Sequence, residues 1–339
     1  MTWSGAHLLF ACRRRISRRY HLVVALAVVV ALAVVASLAV PATSSAAYAA
    51  TPPPRTSSYY ERSANPLVLY RQGEEAGRSD AQGIVILDFG RPADNGVSYG
   101  TMGFAGPFIP FTSIARGVEN YIRGYYRSAP SSTTLDVAVG TNNSCGTGQP
   151  CGEGTDICGC PDEPPDYAFW GSQLALTVMK IGAWATDLKA RDGYTDNVRV
   201  VAADDAEPAY DPGYTNTYDL LEGYARAGGG SFPAMVDYGS AEASYWTEHQ
   251  LLQVAYGFRP DVPMPQVYYA SEAADWGALL SYAKARRREV MTIFGVLTEG
   301  RGTNGPEAAY SDMLQAISGV TDQRSIPWLS TIRGLPHDQ

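Results

Sequence analysis

From residue 83 onward the chain alternates short apolar runs with segments whose apolar residues recur at helical spacing. GIVILDFGRP (83–92), TTLDVAVGTNN (133–143), VRVVAADDAEP (198–208), FPAMVDYGSAE (232–242), PQVYYASE (265–272), EVMTIFGVLTEG (289–300) and SIPWLSTI (325–332) read as seven strands. Between them, 112–128, 171–189, 214–227, 247–257, 272–288 and 306–319 read as helices. In the first of these, Ile114, Val118, Tyr121, Ile122 and Tyr125 form the stripe. Ser271 is the expected N-cap of the fifth helix, Pro306 suits the first turn of the last, and Gly228-Gly229-Gly230 would supply a left-handed stop. Strands that are apolar on both faces and alternate with helices are parallel strands covered by helices. The fold class expected is therefore α/β, a TIM-like (β/α) barrel of parallel strands forming a single domain over residues 66–339. PLVLY (66–70) would add an eighth strand or an N-terminal flap. A doubly wound open sheet shares the pattern, but no G-x-G-x-x-G follows the first strand and no Walker loop is present.

The first 49 residues differ from the rest. They hold no Asp or Glu, carry Arg13, Arg14, Arg15, Arg18 and Arg19, and continue into Leu22–Val40, apolar throughout except for Ser37. Ala47-Tyr48-Ala49 fits the small-x-small rule for signal cleavage. The run of 19 residues also reaches the length that crosses a bilayer. Cleaved signal peptide and uncleaved membrane anchor both remain open, and either exports the body, because the arginines stay on the cytoplasmic side. The expected location is secreted or on the outer face of the membrane, with membrane contact only through this segment. Residues 50–65, rich in Pro, Ser, Thr and Arg, read as a flexible linker.

Compartment changes the reading of the cysteines. Cys145, Cys151, Cys158 and Cys160 crowd one Gly/Pro-rich loop (144–161), and in an oxidising environment they read as two disulfides with three pairings open. Zinc is the rival, although C-x5-C-x6-C-x-C lacks the paired C-x2-C of common zinc folds. Charge narrows the partners. The net charge is −8, and all the basic residues of the first 49 lie outside the body, so nucleic acid is not an expected partner. Only His249 and His337 lie beyond residue 49, which argues against a multi-histidine metal site, and no cofactor is implied. A serine hydrolase lacks its G-x-S-x-G elbow. The body's three lysines, Lys180, Lys189 and Lys284, all fall on expected helices, which disfavours Schiff-base chemistry.

In a barrel the chemistry sits where the strands end. Those ends carry Asp88, Asn142 and Asn143, Asp204, Asp205 and Glu207, Asp237 and Glu242, Tyr268 and Tyr269, and Glu299. Asp205-Ala206-Glu207 is the tightest set, since residues two apart on a strand face the same way. Crowded carboxyls in a partly dry mouth push one pKa up while another stays ionised, the arrangement that glycoside hydrolysis uses. Each acid also has a plain structural reading, as a helix cap or an acceptor of loop amides. The candidate catalytic residues are Glu207, Asp205 and Asp237; the candidate substrate-binding residues are Asp88, Asn142, Asn143, Tyr268 and Glu299. Trp170, Trp246 and Phe169 are further candidates for stacking against sugar rings.

The export signal, the D-x-E after VVAAD, and the P-Q-V-Y-Y strand with Trp276 in its helix resemble secreted actinobacterial glycoside-hydrolase-like barrels, distantly similar to glycoside hydrolase family 25 lysozymes. That resemblance implies a catalytic D-x-E at Asp205 and Glu207, with a first-strand Asp, here Asp88, lining the site. It implies an exported protein that acts on cell-wall or extracellular polysaccharide, or a non-catalytic barrel that binds a wall or surface ligand. The cysteine loop and the order of units depart from the family 25 pattern.

Overall fold

The computed structural model describes residues 51–130, 133–144, 166–227, 234–258, 261–287, 290–299 and 304–334. The expected signal or anchor segment, the four loop cysteines and the triple glycine lie outside the described residues. Among the described residues, no helix is long and apolar enough to cross a membrane.

Strand β1 (Arg55–Tyr60) leads into helix α1 (Pro66–Arg78) and strand β2 (Gly83–Asp88). A small antiparallel meander follows, β3 (Arg91–Asp94), β4 (Tyr99–Met102) and β5 (Phe108–Pro110). The alternation then runs through α2 (Phe111–Ser128), β6 (Thr134–Asn142), α3 (Tyr167–Asp192), β7 (Asn197–Asp205) and α4 (Thr215–Arg226). It continues with β8 (Met235–Asp237), α5 (Glu248–Tyr256), β9 (Asp261–Pro263) and α6 (Ala270–Tyr282). Last come β10 (Gly295–Glu299), α7 (Pro306–Ser318) and β11 (Trp328–Arg333).

Eight of these strands form one parallel sheet in the order β10-β11-β1-β2-β6-β7-β8-β9. The first and last described strands are neighbours, with Arg55 opposite Leu329, and the sheet curls so that its two edges, β9 and β10, approach each other. The ladder is not complete. Between the edge strands β9 and β10 there is one isolated bridge, Gln266 to Leu297, supported by Leu297 N–H donating to Pro265 O at 2.8 Å. Pro263 and Pro265 have no N–H to offer, so this edge cannot sustain a regular ladder. The architecture is thus a curled, half-barrel parallel sheet with helices, of the α/β class, and the full TIM barrel is not closed.

The two faces of the sheet bury different clusters. Ile84, Ile86, Ala138, Val201, Ala203, Val236, Leu297 and Ile332 pack together on the concave side. Val85, Leu87, Val137, Val139, Ala202 and Leu329 pack outward against the helices. This explains why the strands read as continuous apolar runs.

Three expectations change. The residues read as a linker contribute β1, and PLVLY is the start of α1, not a strand. Asn65 caps that helix, accepting from Leu67 N–H at 3.0 Å, and Pro66 sits at its first position. Ser271 is not a cap: α6 begins at Ala270, because the Glu272 carboxylate turns back to accept the N–H groups of Tyr268 and Tyr269.

Candidate active site

Strand alternation decides what each acid of β7 can do. Asp205 continues the Val201–Ala203 face and turns into the concave side, whereas Asp204 turns toward the helices. There Asp204 is fully buried beside its register partner Asp237, and among the described residues neither of its carboxyl oxygens has a hydrogen-bond partner. Burial, and then the neighbouring Asp237 and Asp88 charges, push its pKa well up.

Glu207 lies just past the end of β7, and its place is set by Asn143. The Asn143 side chain accepts from Glu207 N–H at 2.9 Å and donates to Glu207 O at 3.0 Å, while also donating to Thr217 Oγ1 at 2.9 Å. The loop, whose Glu207 O also accepts from Tyr210 N–H at 2.9 Å, is thereby clamped from both sides. Asp205 and Glu207 both open into a cavity of about 720 Å³. Six carboxyl groups line it: Asp205, Glu207, Glu242, Glu272, Asp275 and Glu299. Tyr60, Tyr210, Tyr268, Gln266, Ser240 and Ser271 complete the lining among the described residues, and none of these described residues is a Lys, Arg or His.

Gln266 donates its amide to Asp205 Oδ1 at 2.7 Å. No described residue donates a hydrogen bond to the Glu207 carboxyl group. Burial pushes the Glu207 pKa up to about 8, helped by the Asp237, Glu272 and Glu242 charges. Burial likewise pushes Asp205 well up, and Glu207 is its strongest charged neighbour. Two adjacent carboxyls in a poorly hydrated site cannot both ionise cheaply, so the pair retains a proton near neutral pH.

The chain matches no model of a known protein family. Nor does it match any curated protein sequence.

The other expected residues divide. Tyr268 and Glu299 line the cavity with the acid pair, and Tyr268 hydrogen-bonds Tyr60. Asp88 and Asp237 are absent from the lining. Each accepts a loop amide, Gly90 N–H at 2.7 Å and Gly239 N–H at 3.1 Å, and Asp88 also accepts from Tyr238 OH at 2.7 Å. Burial lifts both to about 7. Asn142 caps its own turn through Ser144 N–H, and Asn143 is spent on the Glu207 backbone. Trp170 and Trp246 are core residues whose indole N–H groups bond Gly100 O and Asp211 O. Phe169 is exposed and packs edge-on to Tyr99, and His249 is exposed on α5, outside the cavity. Tyr60, Tyr210 and Gln266 went unmarked in the sequence. Tyr60 hides at the end of a polar strand, Tyr210 follows Pro208, and Gln266 sits in an apolar run without a pattern of its own.

Proposed function

We propose that the chain is an exported glycoside-hydrolase-like protein that cleaves cell-wall or extracellular polysaccharide by carboxylate acid/base catalysis. One observation carries this reading: the buried pair Asp205–Glu207 opens into a large cavity that also presents three tyrosines. Glu207, holding its proton near neutral pH, is suited to protonate the leaving glycosidic oxygen as the anomeric C–O bond breaks. Burial raises both members of the pair, and Asp205, whose Oδ1 accepts the Gln266 amide, is assigned the pair's negative charge on that hydrogen bond, to act as nucleophile or as base toward water. The net reaction consumes one water and yields a new reducing end. The tyrosine rings offer faces on which sugar rings stack.

The resemblance to glycoside hydrolase family 25 lysozymes agrees with these two roles, and the basic and apolar N-terminal segment supports export. Asp237 and Asp88 lie outside the cavity lining: Asp237 holds the Gly239 turn and its charge favours the protonated state of Glu207, while the Asp88 charge helps raise Asp205. Purified protein incubated with bacterial wall polysaccharide should release reducing ends, and Asp205→Asn should abolish the release. Ligand retention without any cleavage would instead favour a non-catalytic barrel that binds a wall or surface ligand.

A further inference from the structure

The charge of the cavity is lopsided. Glu242 follows β8, and Glu272 and Asp275 lie on the first turns of α6, so one wall of the cavity carries three acids beside Glu207. Glu272 is partly occupied by the amides of Tyr268 and Tyr269. The Glu207, Glu242 and Asp275 carboxyls receive no hydrogen bond or ion pair from any described residue. Burial and the Glu242 charge raise the Asp275 pKa, and Glu242 also raises that of Glu207, so the acids of this wall feel one another. Of these three acids Glu207 is the most deeply buried, Asp275 is half-buried and Glu242 is exposed, and together they line a cavity in which no described cation offers a counter-charge that a bound ligand can bring. An anionic or phosphate-bearing glycan would be repelled by the same wall.

We propose that the ligand of this cavity is a glycan bearing free amino groups, an amino-sugar polymer whose ammonium seats against Glu242 and Asp275 while its rings lie on the tyrosines. This deepens the proposed function and rests on it for the placement of a saccharide in the cavity. Both halves of the ligand are required by the lining. Acids alone would accept any cation, and tyrosines alone any sugar. The tyrosines and the acid pair favour a saccharide over a cationic peptide.

The test compares β-1,4-linked glucosamine hexamer with its fully N-acetylated counterpart, binding to the full chain carrying Glu207→Gln so that turnover does not consume the probe. The amino form should bind at least ~10-fold more tightly at low salt, and the gap should shrink sharply at about 0.5 M NaCl, where the screening length is only a few ångströms. Adding Glu242→Gln and Asp275→Asn should weaken the amino form by about tenfold and leave the acetylated form unchanged. If those two changes disturb folding, the salt comparison on the parent protein decides alone.

Equal or tighter binding of the acetylated form, binding of neither, or equal competition by polylysine would overturn the proposal. Amino-glycan binding without release of reducing ends by the unaltered protein would uphold this inference and sink hydrolysis. Cleavage of N-acetylated glycan with no preference for the amino form would do the reverse.

Discussion

Glu207 and Asp205 stand two positions apart, yet different forces fix them. Asp205 is held by its strand and by the Gln266 amide, Glu207 by the two-way clamp of Asn143 on its backbone. Glu207→Gln keeps the shape and removes the titrating proton, so turnover of a wall polysaccharide should fall by at least ~10²-fold with little change in melting temperature. Full activity of that variant in a reducing-end assay would remove Glu207 from the mechanism. With its pKa pushed up to about 8, the acid should deliver its proton below that pH and fail above it. The rate should therefore decline on the alkaline side. Asn143→Ala tests positioning: it frees the Glu207 loop and leaves Thr217 short of a partner. We expect about tenfold lower kcat/KM and a stability cost of about 1–2 kcal/mol, read by denaturant unfolding. The D-x-E is visible in the sequence because two acids end an apolar run. The clamp is not, since an asparagine at a strand end reads the same whether its amide meets ligand or backbone.

Elements are legible where apolar periodicity is strong and illegible where hydrogen bonds replace it. The six helices read from apolar stripes stand where those stripes place them, to within a few residues, whereas α1 reads as a strand from its PLVLY start. Strand β1 is invisible because RTSSYY has no apolar face. Instead Ser58 Oγ pairs with Ser330 Oγ at 2.7 Å and accepts from Ile86 N–H at 2.8 Å, and Thr56 donates to Ile84 O, so polar side chains stitch β1 between β11 and β2. The meander of β3, β4 and β5 escapes notice for the same reason: three or four residues are too few to show a period. Helix contacts, in turn, depend on glycines. A Cβ at Gly124 would lie 2.2 Å from Tyr70 O, and one at Gly73 2.0 Å from Tyr121 O, so α1 and α2 touch backbone to backbone. The α3–α4 pair repeats the device, with Gly171 against Leu220 O and Gly223 against Ala168 O. Gly124→Ala should raise local helix propensity yet destabilise the protein by about 1–3 kcal/mol, since the neighbour is backbone and cannot step aside. Chemical denaturation showing Gly124→Ala as stable as the parent would mean that α1 and α2 do not approach this closely.

At the scale of the whole molecule, the buried acids make folding a proton-linked event. Glu61, Asp88 and Asp237 are pushed up to about 7 and Glu207 to about 8, all chiefly by burial, and Asp204 is likewise raised well above the usual carboxylate range, with neither oxygen hydrogen-bonded. In the unfolded chain such carboxyls titrate near ~4. Between about pH 4 and pH 8 the folded state therefore holds more protons than the unfolded one, and stability falls as pH rises through that window. The contribution is complete below the unfolded pKa and lost once pH passes the folded values. This is opposite to a protein whose carboxylates are salt-bridged. The net charge of −8 acts in the same direction, because self-repulsion also eases on acidification. Melting temperature should be higher near pH 5.5 than near pH 8.5 by at least ~4 °C, the shift that one to two kcal/mol gives in a domain of this size. Asp204→Asn isolates the cause. It keeps the shape and removes a buried charge, so it should raise the melting temperature at pH 8.5, do little at pH 5.5, and flatten the profile between them. A parent protein that melts at the same temperature across the range, or higher at pH 8.5, would show that these carboxyls are solvated after all.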